Sequence, residues 1–248
     1  MGGASAAADA VARARQMPGL RVGLHLVLIE GGPVLPAAEL RGLVRDDGRF
    51  DDNQLRAGFR YFFTPGIRKR LAAEIRAQFE AFRATGLALD HVNAHKHMHL
   101  HPTVARLMIE IGREYGMRAV RLPAEPQPVL RRAFAGERHA GLPPAFAVAA
   151  LRRRLRRAGI ARNDHIFGIA WSGAMTEARL LKLLPHLPEG VSEIYFHPAA
   201  ERTAALAAEM PGYRHTDELA ALLSPKVRRK IEEFGIELVS YGDLAAVH

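Results

Sequence analysis

The segment Asp90-His91-Val92-Asn93-Ala94-His95-Lys96-His97-Met98-His99-Leu100-His101-Pro102 holds five of the chain's 12 histidines within eleven residues. Side chains alternate along an extended strand, so His95, His97, His99 and His101 are expected on one face. Imidazoles crowded onto a buried face are costly unless metal, carboxylate or other polar partners take up their nitrogens. The pattern predicts an active-site strand that supplies one or two metal ligands, the other histidines binding substrate, orienting a ligand or capping the next helix. A solvent-facing histidine run is the alternative. Imidazole with carboxylate and water suits zinc, iron or nickel, and harder ions fit where oxygen ligands dominate.

Two further histidines sit late in apolar strand patterns. His25 interrupts Val22-Gly23-Leu24-His25-Leu26-Val27-Leu28, and His197 ends Glu193-Ile194-Tyr195-Phe196-His197-Pro198. Alone, His25 reads as a core histidine. Beside a second strand that ends in the cluster it reads as a metal ligand. An imidazole at His197 suits a general acid near neutral pH, against a carbonyl-bonded structural role. Arg121 and Glu125 follow another expected strand end and suit sugar hydroxyls, a contact to a histidine, or a surface ion pair. Trp171, the only tryptophan, suits stacking on a sugar or plain packing. The aromatics around Tyr61-Phe62-Phe63 suit the rim of an apolar aglycone site. The five arginines between Arg152 and Arg157 suit a solvated helix face or contact with anionic lipid headgroups.

These residues need strands and helices to position them. An Ala-rich helix is expected over residues 6–16, stopped by Pro18 and Gly19, before a strand over 20–28. Residues 30–64 lack clean periodicity and read as a long functional loop. Leu71, Ile75, Phe79 and Phe82 recur at helical spacing, and the helix ends at Gly86. Strands follow over 87–95, 117–122, 191–197 and 236–240, separated by helices beginning at Pro102, near Thr176 and at Ser224-Pro225. Strand and helix alternate, which predicts one α/β domain over 1–248, a (β/α) barrel or part of one with strand-end sites.

With 248 residues and 48% apolar content the chain can bury a full core. It has no cysteine, so disulfides, thiolate zinc sites, iron–sulfur clusters and cysteine nucleophiles are excluded. A formal charge of +9 permits anionic partners, but no reading helix or aromatic–basic motif accompanies it, and nucleic acid is not expected. No window is apolar enough to span a bilayer, and the first twenty residues read as a helix instead of a signal peptide. Any membrane contact would be peripheral.

Three ordered motifs, Gly23-Leu24-His25-Leu26 with Gly32-Pro33, Asp90 through His99, and Ser192-Glu193-Ile194-Tyr195-Phe196-His197-Pro198, resemble the signatures of the YdjC-like carbohydrate deacetylases. The resemblance runs over nearly the whole chain, including Gly212 through Leu219, and is nearest to the branch associated with hopanoid biosynthesis. It implies a distorted (β/α) barrel holding a divalent ion, magnesium or zinc, on an aspartate and two histidines, here matched by His25 and His95. His197 would be the catalytic proton donor, and His97, His99, Arg121, Glu125 and Trp171 the substrate-binding residues.

The implied reaction removes acetyl from an N-acetylglucosaminyl hopanoid glycolipid, in the cytoplasm and peripherally at the inner membrane. Deacetylation of free N-acetylated oligosaccharides is the alternative. One family feature has no counterpart: the Asp-Asp-Phe-Gly motif that supplies the ligand aspartate and base in a first strand. The expected explanation is a missing strand-helix-strand unit before the Ala-rich helix, so that the domain is N-terminally incomplete. The other is a degenerate member that only binds glycan or metal. Either way, His25 and His95 alone leave an ion short of ligands.

Overall fold

The computed structural model describes residues 6–137 and 141–246. In chain order the helices are α1 (Ala7–Arg15), α2 (Gln54–Phe63), α3 (Pro65–Ala84), α4 (Pro102–Glu114), α5 (Gln127–Ala133), α6 (Ala145–Arg157), α7 (Glu177–Leu183), α8 (Ala204–Glu209), α9 (His215–Leu222), α10 (Pro225–Glu233) and α11 (Tyr241–Ala246). The strands are β1 (Val22–Leu26), β2 (Leu89–Ala94), β3 (His165–Phe167) and β4 (Ser192–Ile194). The chain divides into two compact units, one of residues 1–121, 146–162 and 240–248, the other of 122–145 and 163–239.

In the first unit β1 and β2 are parallel, with His25 opposite Asn93 and Leu26 opposite Ala94. The far edge of β2 is met by a single bridge, Val92 to Val120, and a second bridge, Ala119 to Ala161, continues outward from there. The strand expected over 117–122 is present only as those contacts. Leu24, Leu26, Val92 and Ala94 are buried, as expected for parallel strands covered by helices. α3 begins with Pro65 at its first turn and turns Ile67, Leu71, Ile75, Phe79 and Phe82 inward. Two polar residues share that buried face. Gln78 pairs with both the N–H and the carbonyl of Val27 (2.9 and 2.7 Å), and Glu74 accepts from the N–H groups of Val34 and Leu35 (2.9 and 3.0 Å). They satisfy the backbone where β1 has ended, so α3 fixes the chain that leaves His25.

In the second unit β3 and β4 are parallel, with Phe167 opposite Ile194. Its core gathers Leu130, Phe134, Phe167, Trp171, Met175, Leu180 and Leu183.

The architecture is mixed α/β, but a barrel is not evident: the described strands form two separate two-stranded open sheets. Two other expectations change. Residues 30–64 are not one loop, because Asn53 caps α2 by accepting from the Arg56 N–H at 2.9 Å. Residues 236–240 carry no strand.

Candidate active site

β2 ends at Ala94, and the histidine run does not continue as a strand. Residues 95–100 form a tight 3-10 segment in which Lys96 and His97 take left-handed backbone angles, φ 47° and 54°. Period-two alternation is therefore lost, and the expected single face of four histidines is replaced by divergent directions. His95 points toward His25. His99 is completely buried, and its Nε2–H donates to the Arg121 carbonyl at 2.9 Å. Burial, with the charge of His97 nearby, holds it well below the usual imidazole range. His101 packs edge-on against Tyr61 and Phe62 at 6.1 and 6.3 Å.

The register of β1 and β2 puts His25 beside Asn93, and the Asn93 side-chain oxygen takes the Nδ1–H of His25. An oxygen acceptor fixes the proton on Nδ1, so Nε2 is left as a lone pair. That Nε2 lies 3.5 Å from Nδ1 of His95. On the other side of the His95 ring, Nε2–H meets Glu30 Oε2 at 3.3 Å. A carboxylate only accepts, so in the neutral ring Nδ1 of His95 also presents a lone pair. Two facing lone pairs cannot bond to each other, and a cation between them satisfies both.

Burial pulls the His25 imidazole down to about 4, aided by the charges of His95 and Arg121 and opposed by the Asn93 bond. It is therefore neutral at physiological pH, the state that binds a metal. Glu30 is pushed up by partial burial, but its bonds to Lys96 and His95 outweigh this and leave it below its ordinary value. Glu30 itself has φ 61°. Among the described residues, the non-glycine residues with positive φ are Glu30, Lys96 and His97, all beside the His25–His95 pair. Such strain persists where surrounding contacts enforce it and gathers at functional sites.

The pair suits a divalent ion as two of its ligands. Nitrogens each about 2.0–2.1 Å from one ion lie at most about 4.2 Å apart, and 3.5 Å is inside that limit. Among the described residues no group of three histidine, aspartate or glutamate side chains forms a metal-holding cluster, so the expected third ligand is not supplied there. Arg121 lies in the same unit, its backbone bonded to Val92 and its charge bearing on His25.

The remaining expected residues have structural surroundings in the second unit. Both carboxylate oxygens of Glu125 are engaged by the N–H groups of Gly168, Ile169 and Ala170, at 2.8, 3.2 and 2.8 Å. Trp171 packs on Phe134 at 4.3 Å and donates its indole N–H to Glu137 at 3.2 Å. His197 sits among Tyr195 and Tyr213, ring centroids 5.5 and 5.0 Å away. Its backbone is gripped by α9: the N–H donates to buried Glu218 at 2.5 Å, and the carbonyl accepts from His215 Nδ1 at 2.6 Å. His97, in the first unit, is half-buried.

Asn93, Glu30, His215 and Glu218 were not singled out by sequence. Asn93 becomes visible only through strand register. Glu218 and His215 lie in the matching Gly212 to Leu219 segment, and their spacing of three puts them on one face of α9.

The family model described as YdjC-like protein matches residues 1–233. The chain is 27% identical over 236 residues to a carbohydrate deacetylase of Brevibacillus brevis, covering 95% of this chain and 82% of that protein. It is 29% identical to a carbohydrate deacetylase of Vibrio vulnificus, with 98% and 83% covered, and 27% identical to the human carbohydrate deacetylase, with 98% and 80% covered. A crystal structure of a proposed cellobiose-phosphate cleavage protein from Enterococcus faecalis V583 superposes with TM-score 0.71 at 22% identity, over 95% of this chain and 82% of that one. That likeness concerns the fold.

Proposed function

The chain belongs to the YdjC-like family, and from that premise we propose that it is a carbohydrate deacetylase, a hydrolase of the amide in an N-acetylated sugar. The reading extends to divalent-metal dependence, with magnesium or zinc on His25 and His95, and to an N-acetylglucosaminyl hopanoid glycolipid as substrate, met from the cytoplasm at the inner membrane. The distorted barrel belongs to the same proposal. The observation that carries it is the inward-facing nitrogen pair, 3.5 Å apart with both outer N–H groups engaged.

Amide hydrolysis needs a stronger nucleophile than bulk water and relief of charge on the carbonyl oxygen. A bound divalent ion supplies both, acidifying its water and polarising the acetyl carbonyl. The base that takes the water's proton belongs to the family motif that has no counterpart in this sequence; the described side chains supply the other roles. Asn93 and Glu30 hold the two imidazoles in the tautomers that present lone pairs. Arg121 supplies a fixed positive charge for a substrate oxygen, and His97 offers a half-buried imidazole to the sugar. His197 protonates the departing amine, which leaves as the free amino sugar.

A second reading is favoured by one observation: no described carboxylate completes a three-ligand cluster with the pair. Weak ion binding follows, and in the limit a module that binds glycan or metal without turnover. Acetate release from N-acetylglucosaminyl hopanoid and from free N,N′-diacetylchitobiose separates the possibilities. Preferential release from the glycolipid supports the reading in full, release only from the free sugar moves the substrate to oligosaccharides, and ion binding with no acetate from either supports the binding module.

A further inference from the structure

α2 is amphipathic, but its apolar residues lie on both faces. The inner face is accounted for: Ala57 and Tyr61 are buried, Tyr61 donates its hydroxyl to the Leu28 carbonyl at 2.6 Å, and Gly58 lies against His101. A Cβ at Gly58 would come within 3.3 Å of the His101 ring. The outer face carries Leu55, Phe59, Phe62 and Phe63 at helical spacing, and these are 86%, 66%, 48% and 60% exposed. Charged side chains normally occupy such a face.

We propose that this outer face of α2 is a docking surface for an anionic lipid bilayer, into which Leu55, Phe59, Phe62 and Phe63 insert. Charge complementarity selects that occupant. Residues 51–70 carry Arg56, Arg60, Arg68, Lys69 and Arg70 against Asp51 and Asp52; Asp51 pairs with Arg56 and Arg60, and Asp52 with Arg45 and Arg56, so the excess positive charge lies at Arg68, Lys69 and Arg70. Lys69 is exposed, and Arg68 and Arg70 are half-exposed, in the first turns of α3, which begins two residues after Phe63. An apolar stripe bordered by cations is the arrangement that lies in an interface and is drawn to negatively charged headgroups. Size argues the same way: the four side chains expose roughly 500 Å² between them, short of the ~800 Å² per partner of a stable protein interface.

The surface also borders the candidate active site. Gln54, at the start of α2, donates its side-chain amide to the Lys96 carbonyl at 3.0 Å, one residue from His95. A bilayer seated on α2 would meet the rim of the histidine pair, where a lipid-anchored sugar would arrive. The inference thus deepens the deacetylase reading by naming the surface that presents an amphiphilic substrate.

The test is flotation of the full chain with phosphatidylcholine vesicles and with vesicles in which half the lipid is phosphatidylglycerol, without sugar substrate. Binding to the anionic vesicles only, weakened at least tenfold by Phe59→Ser/Phe63→Ser and by raised salt, is the expected result. Lys69→Glu, on an exposed side chain, should weaken it as well, and melting curves check that both variants fold. No flotation with anionic vesicles overturns the proposal, as does flotation indifferent to the Phe59→Ser/Phe63→Ser change. A concentration-dependent dimer abolished by that change also overturns it, by assigning the face to a second copy. Because no acetate is measured, these failures leave the deacetylase reading standing, and loss of deacetylation would leave the surface standing.

Discussion

His25 Nε2 and His95 Nδ1 face each other across 3.5 Å, and in the neutral rings each presents a lone pair because Asn93 and Glu30 hold the opposite edges. The arrangement makes Asn93 a positioning residue. Asn93→Ala should lower zinc affinity about 10–100-fold without abolishing it, whereas His25→Ala or His95→Ala should remove the site. Calorimetric titration with zinc reads all three, and an Asn93→Ala affinity equal to wild type would show that the ring is oriented by something else.

Gly23 shares the His25 face of β1, two residues earlier, and an added Cβ there would lie 2.6 Å from the His91 ring. That ring has little room to yield, being bonded to Asp90 at 2.9 Å and packed on Tyr241 at 4.5 Å. Gly23→Ala should cost about 1–3 kcal/mol through overpacking. A denaturant midpoint unchanged from wild type would contradict that expectation.

Asp51 is buried, and its bond to Arg56, with help from the Asn53 N–H and against the effect of burial, brings its carboxyl down to about 2. A depressed carboxylate contributes stability that is complete above its unfolded value near 4 and is lost as pH falls through about 2. With Arg56 half exposed, the contribution should be roughly 1–2 kcal/mol. The stability gap between wild type and Asp51→Asn should therefore be largest near neutral pH and close across that acidic window. A gap independent of pH would assign the effect to packing.

The legible part of this protein was its periodic part. Leu71, Ile75, Phe79 and Phe82 announce α3, and Val104, Leu107, Met108 and Ile111 announce α4, because an apolar stripe at helical spacing has one sensible use. His25 and His95 were legible as a pair because both sit at strand ends. The direction of the other histidines was not, since the two left-handed residues Lys96 and His97 break the alternation and neither is a glycine that would announce it. Trp171 and Glu125 show the opposite limit. Their types suit sugar binding, but the partners that occupy them, Phe134, Glu137 and the 168–170 backbone, are distant in sequence.

His197 offers a separate test of the proton-donor role. α9 holds its backbone through Glu218 and His215, so His215→Ala should reduce kcat several-fold with little change in KM and shift the limb of the pH–rate profile that reports the donor. A fall in thermal stability with an unaltered profile would make His215 purely structural.

The most direct measurement is acetate release from an N-acetylglucosaminyl substrate by protein stripped of metal, then after a divalent ion is restored, for wild type, His25→Ala and His95→Ala. With two nitrogens among the described residues to hold the ion, the expected result is slow release by wild type that disappears on stripping, returns with the ion, and is absent from both variants at every ion concentration. Release that survives stripping, or that His25→Ala and His95→Ala leave intact, would contradict a reaction centred on the His25–His95 pair.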